Sequence, residues 1–188
     1  MKCFKVLAVA VALLLGSSFT YAEEVTSGLK SGEAIGPFNV TKVSGAEDDS
    51  VPVGKNLCYR CRNGSRPQVM VFTRSSDEKV LALVKKLDEQ IQKSGDKQLR
   101  VFVNYLADSK DAATDSVKKL AETSKVKNIP FVVPNEFENG PEDYGLNAKA
   151  EITVLVATEG KVVSSLGYAK AKDLDLGAVS KAVETAVQ

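Results

Sequence analysis

Residues 68–73, 75–95 and 99–105 restrict what this chain can fold into more than any other feature. Gln68-Val69-Met70-Val71-Phe72-Thr73 is an apolar run of strand length, entered from Pro67 and left at Arg74-Ser75-Ser76-Asp77. Beyond it, Val80, Leu83, Val84, Leu87 and Ile91 fall on one helical face, and Gly95 ends the pattern. The entrance Ser75-Ser76-Asp77-Glu78 has the form of a capping box, in which the Ser75 hydroxyl accepts from the Glu78 N–H. Leu99-Arg100-Val101-Phe102-Val103-Asn104-Tyr105 then alternates as a half-buried strand does.

The same reasoning extends in both directions. Downstream it predicts a helix over about 109–124 and a short strand at Ile129-Pro130-Phe131-Val132-Val133-Pro134. The prolines place that strand near a sheet edge. An acidic turn region follows over 135–148, with one helical turn around Glu142-Asp143-Tyr144-Gly145. Strands at 152–157 and 161–166 are joined by Thr158-Glu159-Gly160, and a last helix covers about 174–187. Upstream, Pro37-Phe38-Asn39-Val40-Thr41-Lys42-Val43 reads as a strand. An acidic loop at 44–50 and an irregular stretch lead from there to Pro67. Strands alternating with helices, closed by a hairpin and a helix, imply a central mixed sheet covered on both faces.

Three divisions of the chain follow. Residues 1–22 have a basic start (Lys2, Lys5), an apolar run from Val6 to Leu15 and a small-residue exit, the layout of a cleaved secretory signal. An uncleaved N-terminal anchor is the alternative, and after cleavage no stable membrane insertion is expected. Residues 23–36 are polar and glycine-bearing and read as a flexible N-terminal segment. Residues 37–188 form the domain, and with the entry segment make a chain of ~166 residues, enough for one sizeable core. Cleavage would remove Cys3 together with two positive charges, taking the net charge from +1 to −1. That near-neutrality gives no sign of a nucleic-acid partner. Export to a secreted or periplasmic location places the remaining thiols where oxidation is permitted.

The chain contains no histidine, which removes Ser-His-Asp and Cys-His catalysis, His-ligated metals and haem attachment through Cys-x-x-Cys-His. Attention falls on Cys58-Tyr59-Arg60-Cys61, with Lys55, Arg60, Arg62 and Arg66 around it. Nearby cations lower a thiol pKa and favour a dithiol–disulfide site, in which one sulfur attacks and the other resolves. A passive structural disulfide is the alternative, and metal or intermolecular use a third. Two thiolates are half a zinc site, so no metal and no cofactor are expected. Because the pair precedes the strand at 68–73, it is expected at the amino-terminal rim of the sheet, ~17–20 Å from the carboxyl-terminal rim. Asn39-Val40-Thr41 and Asn63-Gly64-Ser65 fit the glycosylation acceptor pattern. The acidic stretches at 47–49 and 136–143 lack calcium-loop spacing and read as solvated loops.

The order of elements resembles the thioredoxin-fold superfamily, in particular its peroxiredoxin and TlpA-like branch. The segments that carry the likeness are Val69-Met70-Val71-Phe72-Thr73 before its capped helix, Glu142-Asp143-Tyr144-Gly145-Leu146, Ile152-Thr153-Val154-Leu155-Val156 and Thr158-Glu159-Gly160-Lys161-Val162-Val163. The resemblance implies an α/β protein, a thioredoxin-like three-layer α/β/α sandwich around a mixed sheet. It also implies a cysteine opening the helix after the central strand, where a thiolate is stabilised. Here those places hold Arg74, Ser75 and Ser76. The family's cis-proline place aligns with Ile152, preceded by Glu151, with Pro130 as the other match. No Thr-x-x-Cys cysteine is present, which argues against a peroxidase. The expected role is thiol–disulfide exchange or sensing through Cys58 and Cys61, with a protein thiol or disulfide as partner. The alternative is a non-catalytic binding or scaffold module with a structural disulfide.

Overall fold

The computed structural model describes residues 25–188, so the signal-type segment lies outside the described residues. Seven strands and four helices follow in chain order. They are β1 (Val40–Ser44), β2 (Asn56–Leu57), α1 (Tyr59–Asn63), β3 (Gln68–Thr73), α2 (Glu78–Lys93), β4 (Arg100–Tyr105), α3 (Lys110–Ser124), β5 (Phe131–Pro134), β6 (Ile152–Thr158), β7 (Lys161–Tyr168) and α4 (Leu176–Ala186). The strands form one mixed sheet in the order β2-β1-β5-β4-β3-β6-β7. β3, β4 and β5 are parallel, and β6, β7, β1 and β2 join antiparallel.

Side-chain alternation divides the core into two layers. Val69, Val71, Val101, Val103, Val154 and Val156 point to the face covered by α2, α3 and α4. Met70, Phe72, Phe102, Leu155 and Ala157 point to the other face, covered by Tyr59 of α1, Tyr144, Ile35 and Phe38. β3 is buried at every residue, as a strand covered on both faces must be. This is the α/β thioredoxin-like architecture expected from the order of elements.

Several details differ from expectation. β5 is internal, lying between β1 and β4. Its prolines bracket the strand without breaking a ladder: Pro130 accepts from the Val103 N–H at 3.0 Å, and Pro134 closes the strand opposite Val40. The capping box at Ser75 does not form. α2 starts two residues later, where the Asp77 carboxylate accepts from the Lys79 N–H at 2.9 Å, and the Ser75 hydroxyl accepts from the Asp77 N–H instead. Of the entry segment at 23–36, the described residues 25–36 run along β6 and β7. Gly32 donates its N–H to the Val162 carbonyl, and Ser27 shares a 2.6 Å hydrogen bond with Thr153. Gly28 passes so close to Ser165 that a Cβ there would overlap the hydroxyl.

Candidate functional site

The stretch read as irregular before β3 contains a strand and a helix. β2 pairs with β1, and α1 begins directly after it. Cys58 is the helix N-cap: its Sγ accepts the Cys61 N–H at 3.0 Å and is bonded to Cys61 Sγ at 2.08 Å, with Cα atoms 5.2 Å apart. Cys58 is half-buried and Cys61 is exposed. One short helical turn thus carries both sulfurs, and the first sulfur doubles as the cap.

α1 is fastened to the sheet by the residue between the sulfurs. The Tyr59 ring stacks on Phe102 with centroids 5.8 Å apart and is 3% exposed. Its hydroxyl donates to Asp49 Oδ2 at 2.6 Å. Asp49 Oδ1 in turn receives Lys42 Nζ at 2.7 Å and the Val51 N–H at 2.8 Å. Lys42 is only 2% exposed, and its ammonium also donates to the Ala46 and Val51 carbonyls, so all three protons are used. Burial, then the hydrogen bond and charge of Asp49, push the Tyr59 hydroxyl well above the usual tyrosine range. The chain signalled this network in one way: Lys42 lies two residues after Val40, on the inward face of β1.

The far end of α1 docks at the amino-terminal end of β3. Asn63 Nδ2 donates to Gln68 Oε1 at 3.4 Å, and Gln68 Nε2 donates to the Gly64 carbonyl at 3.3 Å. Asn63 is buried, so its side-chain amide is closed to glycosylation. The guanidinium of Arg60 reaches the β6–β7 turn, 3.2 Å from the place a Cβ on Gly160 would take. At the carboxyl-terminal end of β3, Arg74 donates its N–H to the Glu151 carbonyl at 2.8 Å, and Thr73 pairs with Ile152. There Thr73 Oγ1 accepts from the Ser75 N–H and donates to the Ser75 carbonyl. The cysteine helix and the Arg74-Ser75-Ser76 segment therefore belong to opposite ends of the central strand.

Beside α1 a cleft of about 470 Å³ opens over the amino-terminal end of β4, lined among others by Asp48, Arg62, Arg66, Arg100 and Lys127. Asn128 of its lining is held by Asp88, a buried carboxylate of α2 that accepts from Asn128 N at 2.9 Å and Nδ2 at 3.1 Å. No group of three or more Cys, Asp or Glu is placed to hold a metal ion among the described residues. No helix among them is long and apolar enough to cross a membrane.

No family model and no curated protein sequence matches the chain. Solved structures do resemble it. A candidate thiol:disulfide interchange protein DsbE from Chlorobium tepidum superposes with a TM-score of 0.59 at 13% identity, covering 85% of this chain and 99% of that one. The exposed lipoprotein thioredoxin Etrx1 of Streptococcus pneumoniae gives 0.53 at 18%, covering 80% and 99%. Mycobacterium tuberculosis AhpC gives 0.58 at 13%, covering 84% and 97%.

Proposed function

The chain has the thioredoxin fold, and we propose that it is an extracytoplasmic thiol–disulfide protein acting through Cys58 and Cys61. The observation that carries this reading is the capped disulfide, with Cys61 an exposed residue and its N–H aimed at the sulfur of Cys58. A substrate thiolate attacks Cys61 Sγ, forming a mixed disulfide and releasing Cys58 as a thiolate. The Cys61 N–H stabilises that leaving group where it stands. A second substrate thiolate then attacks the substrate sulfur of the mixed disulfide and releases Cys61. The substrate leaves oxidised by two electrons, and the protein is left as a dithiol with the two sulfur protons balanced by solvent. The partner in this reading is a polypeptide dithiol, or a disulfide for the reverse direction.

Export is supported by the signal-type layout of residues 1–22 and by a neighbour whose name describes an exposed lipoprotein. The test is the reduction potential and disulfide-reductase rate of the mature protein beside a Cys58→Ser/Cys61→Ser variant. Matching rates, or a potential below about −300 mV as inert structural bridges have, overturn the redox role. A second reading, a binding module with a structural disulfide, is favoured by Arg74-Ser75-Ser76 opposite Glu151-Ile152 at the other end of β3. Partner capture that is indifferent to thiol blocking would select it.

A further inference from the structure

Three guanidinium groups meet in the cleft beside α1: Arg62 from α1, Arg66 from the turn after it and Arg100 from the start of β4. Gln98 Oε1 accepts from Arg66 at 3.4 Å and from Arg100 at 3.3 Å, holding two of them side by side. Otherwise Arg62 and Arg66 donate only to neutral carbonyls: Arg62 to that of Asp49 at 2.7 Å, Arg66 to those of Asn63 at 2.8 Å and Arg62 at 2.6 Å. None of the three forms an ion pair with a carboxylate among the described residues. Burial and the charges of Arg66 and Arg62 lower the Arg100 pKa, the mark of cations gathered without a neutralising partner. Lys127 adds a fourth positive group to the lining. On the other wall Asp49 is taken by Lys42, which leaves Asp48 as the one lining carboxylate outside an ion pair.

We propose that this cleft binds a compact oxyanion bearing at least two negative charges, of the pyrophosphate or phosphate-ester type. Planar guanidinium forks match such oxygens in pairs, and more than one charge is needed to offset three cations. The acidic wall at Asp48 disfavours a long, uniformly acidic chain lying through the cleft. The site uses neither sulfur, so it stands apart from the redox reading.

The test is calorimetric titration of the mature protein with inorganic pyrophosphate at low ionic strength. One saturable site is expected, unchanged in Cys58→Ser/Cys61→Ser. Arg66→Gln and Arg100→Gln should each weaken binding by about tenfold or more. Lys127 is exposed and has no hydrogen-bond partner among the described residues. Lys127→Gln should therefore keep the fold and weaken binding about threefold. Lys118→Gln, an exposed charge removed from α3, should change nothing. The proposal is overturned if binding does not saturate, or if Arg100→Gln and Lys127→Gln both bind as the parent does. It also falls if Lys118→Gln is equally impaired, or if a tetraglutamate peptide saturates the site and pyrophosphate does not.

Discussion

The Tyr59 hydroxyl and the Asp49 carboxylate meet at 2.6 Å, and through them the sulfur-bearing helix is tied to the one buried lysine of the sheet, Lys42. The two links differ in what they hold. Tyr59→Phe keeps the ring on Phe102 and removes one hydrogen bond to a charged acceptor, a loss of about 1.5–3 kcal/mol. Lys42→Ala strands Asp49 and empties a buried site, and should cost more, about 3–5 kcal/mol. Urea unfolding of both variants measures this; a smaller loss for Lys42→Ala than for Tyr59→Phe would contradict it.

Reducing the disulfide should loosen the fold only slightly. The ring closes four residues, so cross-linking accounts for at most about 2 kcal/mol. Cys58→Ser/Cys61→Ala keeps an N-cap acceptor and should be about 1 kcal/mol more stable than Cys58→Ala/Cys61→Ala. Unfolding curves of the two variants and of the reduced parent give both differences.

Glycines separate two kinds of backbone cost. Gly45 has φ +75°, and a Cβ there would overlap the Ile129 carbonyl oxygen and crowd the Phe131 ring; Gly54 has φ +84° with open space around it. Gly54→Ala should cost about 1 kcal/mol from conformation alone. Gly45→Ala should cost about 1–3 kcal/mol beyond that, because the β1–β5 contact must shift. Paired thermal melts of the two variants decide whether the overlap is relieved cheaply.

Stability should fall at both pH extremes, for opposite reasons. The hydrogen bond from Lys170, then the Ala171 N–H, lowers the Glu151 pKa, and the Ala178 and Gly177 N–H groups lower that of Asp175. Their contribution is present above the ordinary carboxylate pKa of ~4 and is lost as pH falls through the lower folded values. Glu151→Gln/Asp175→Asn should flatten the acid limb of Tm against pH. Burial raises the pKa of Tyr59 and Tyr144. Their contribution is full below the ordinary tyrosine pKa of ~10 and disappears as pH rises toward the folded values. In an absorbance titration of phenolate, both should ionise only as the protein unfolds.

Long periodic elements were legible because burial repeats along them. The bounds of β3 coincide with its apolar run, and α2 and α4 carry their inward residues at helical spacing. α1 was not legible. Five residues are too few to show a period, and this turn is held by a sulfur cap and one inserted ring. The buried lysine was marked only by sharing the parity of Val40, while its charge pointed the other way, to an outward-facing residue. The edge placement of β5 failed because proline is tolerated where it ends a ladder as well as where it lies outside one. In the cleft, Arg62 and Arg66 are near neighbours in the chain, and only the β3–β4 pairing brings Arg100 to them.

Tyr59 stands between the two sulfurs with its ring set into the sheet layer, which denies the pair a hinge. Under the proposed exchange role, displacing either sulfur would mean drawing that ring off Phe102, so the motion of approach would fall to the partner. In that role, the polypeptides expected to react first are those that present sulfur on an extended, unencumbered stretch.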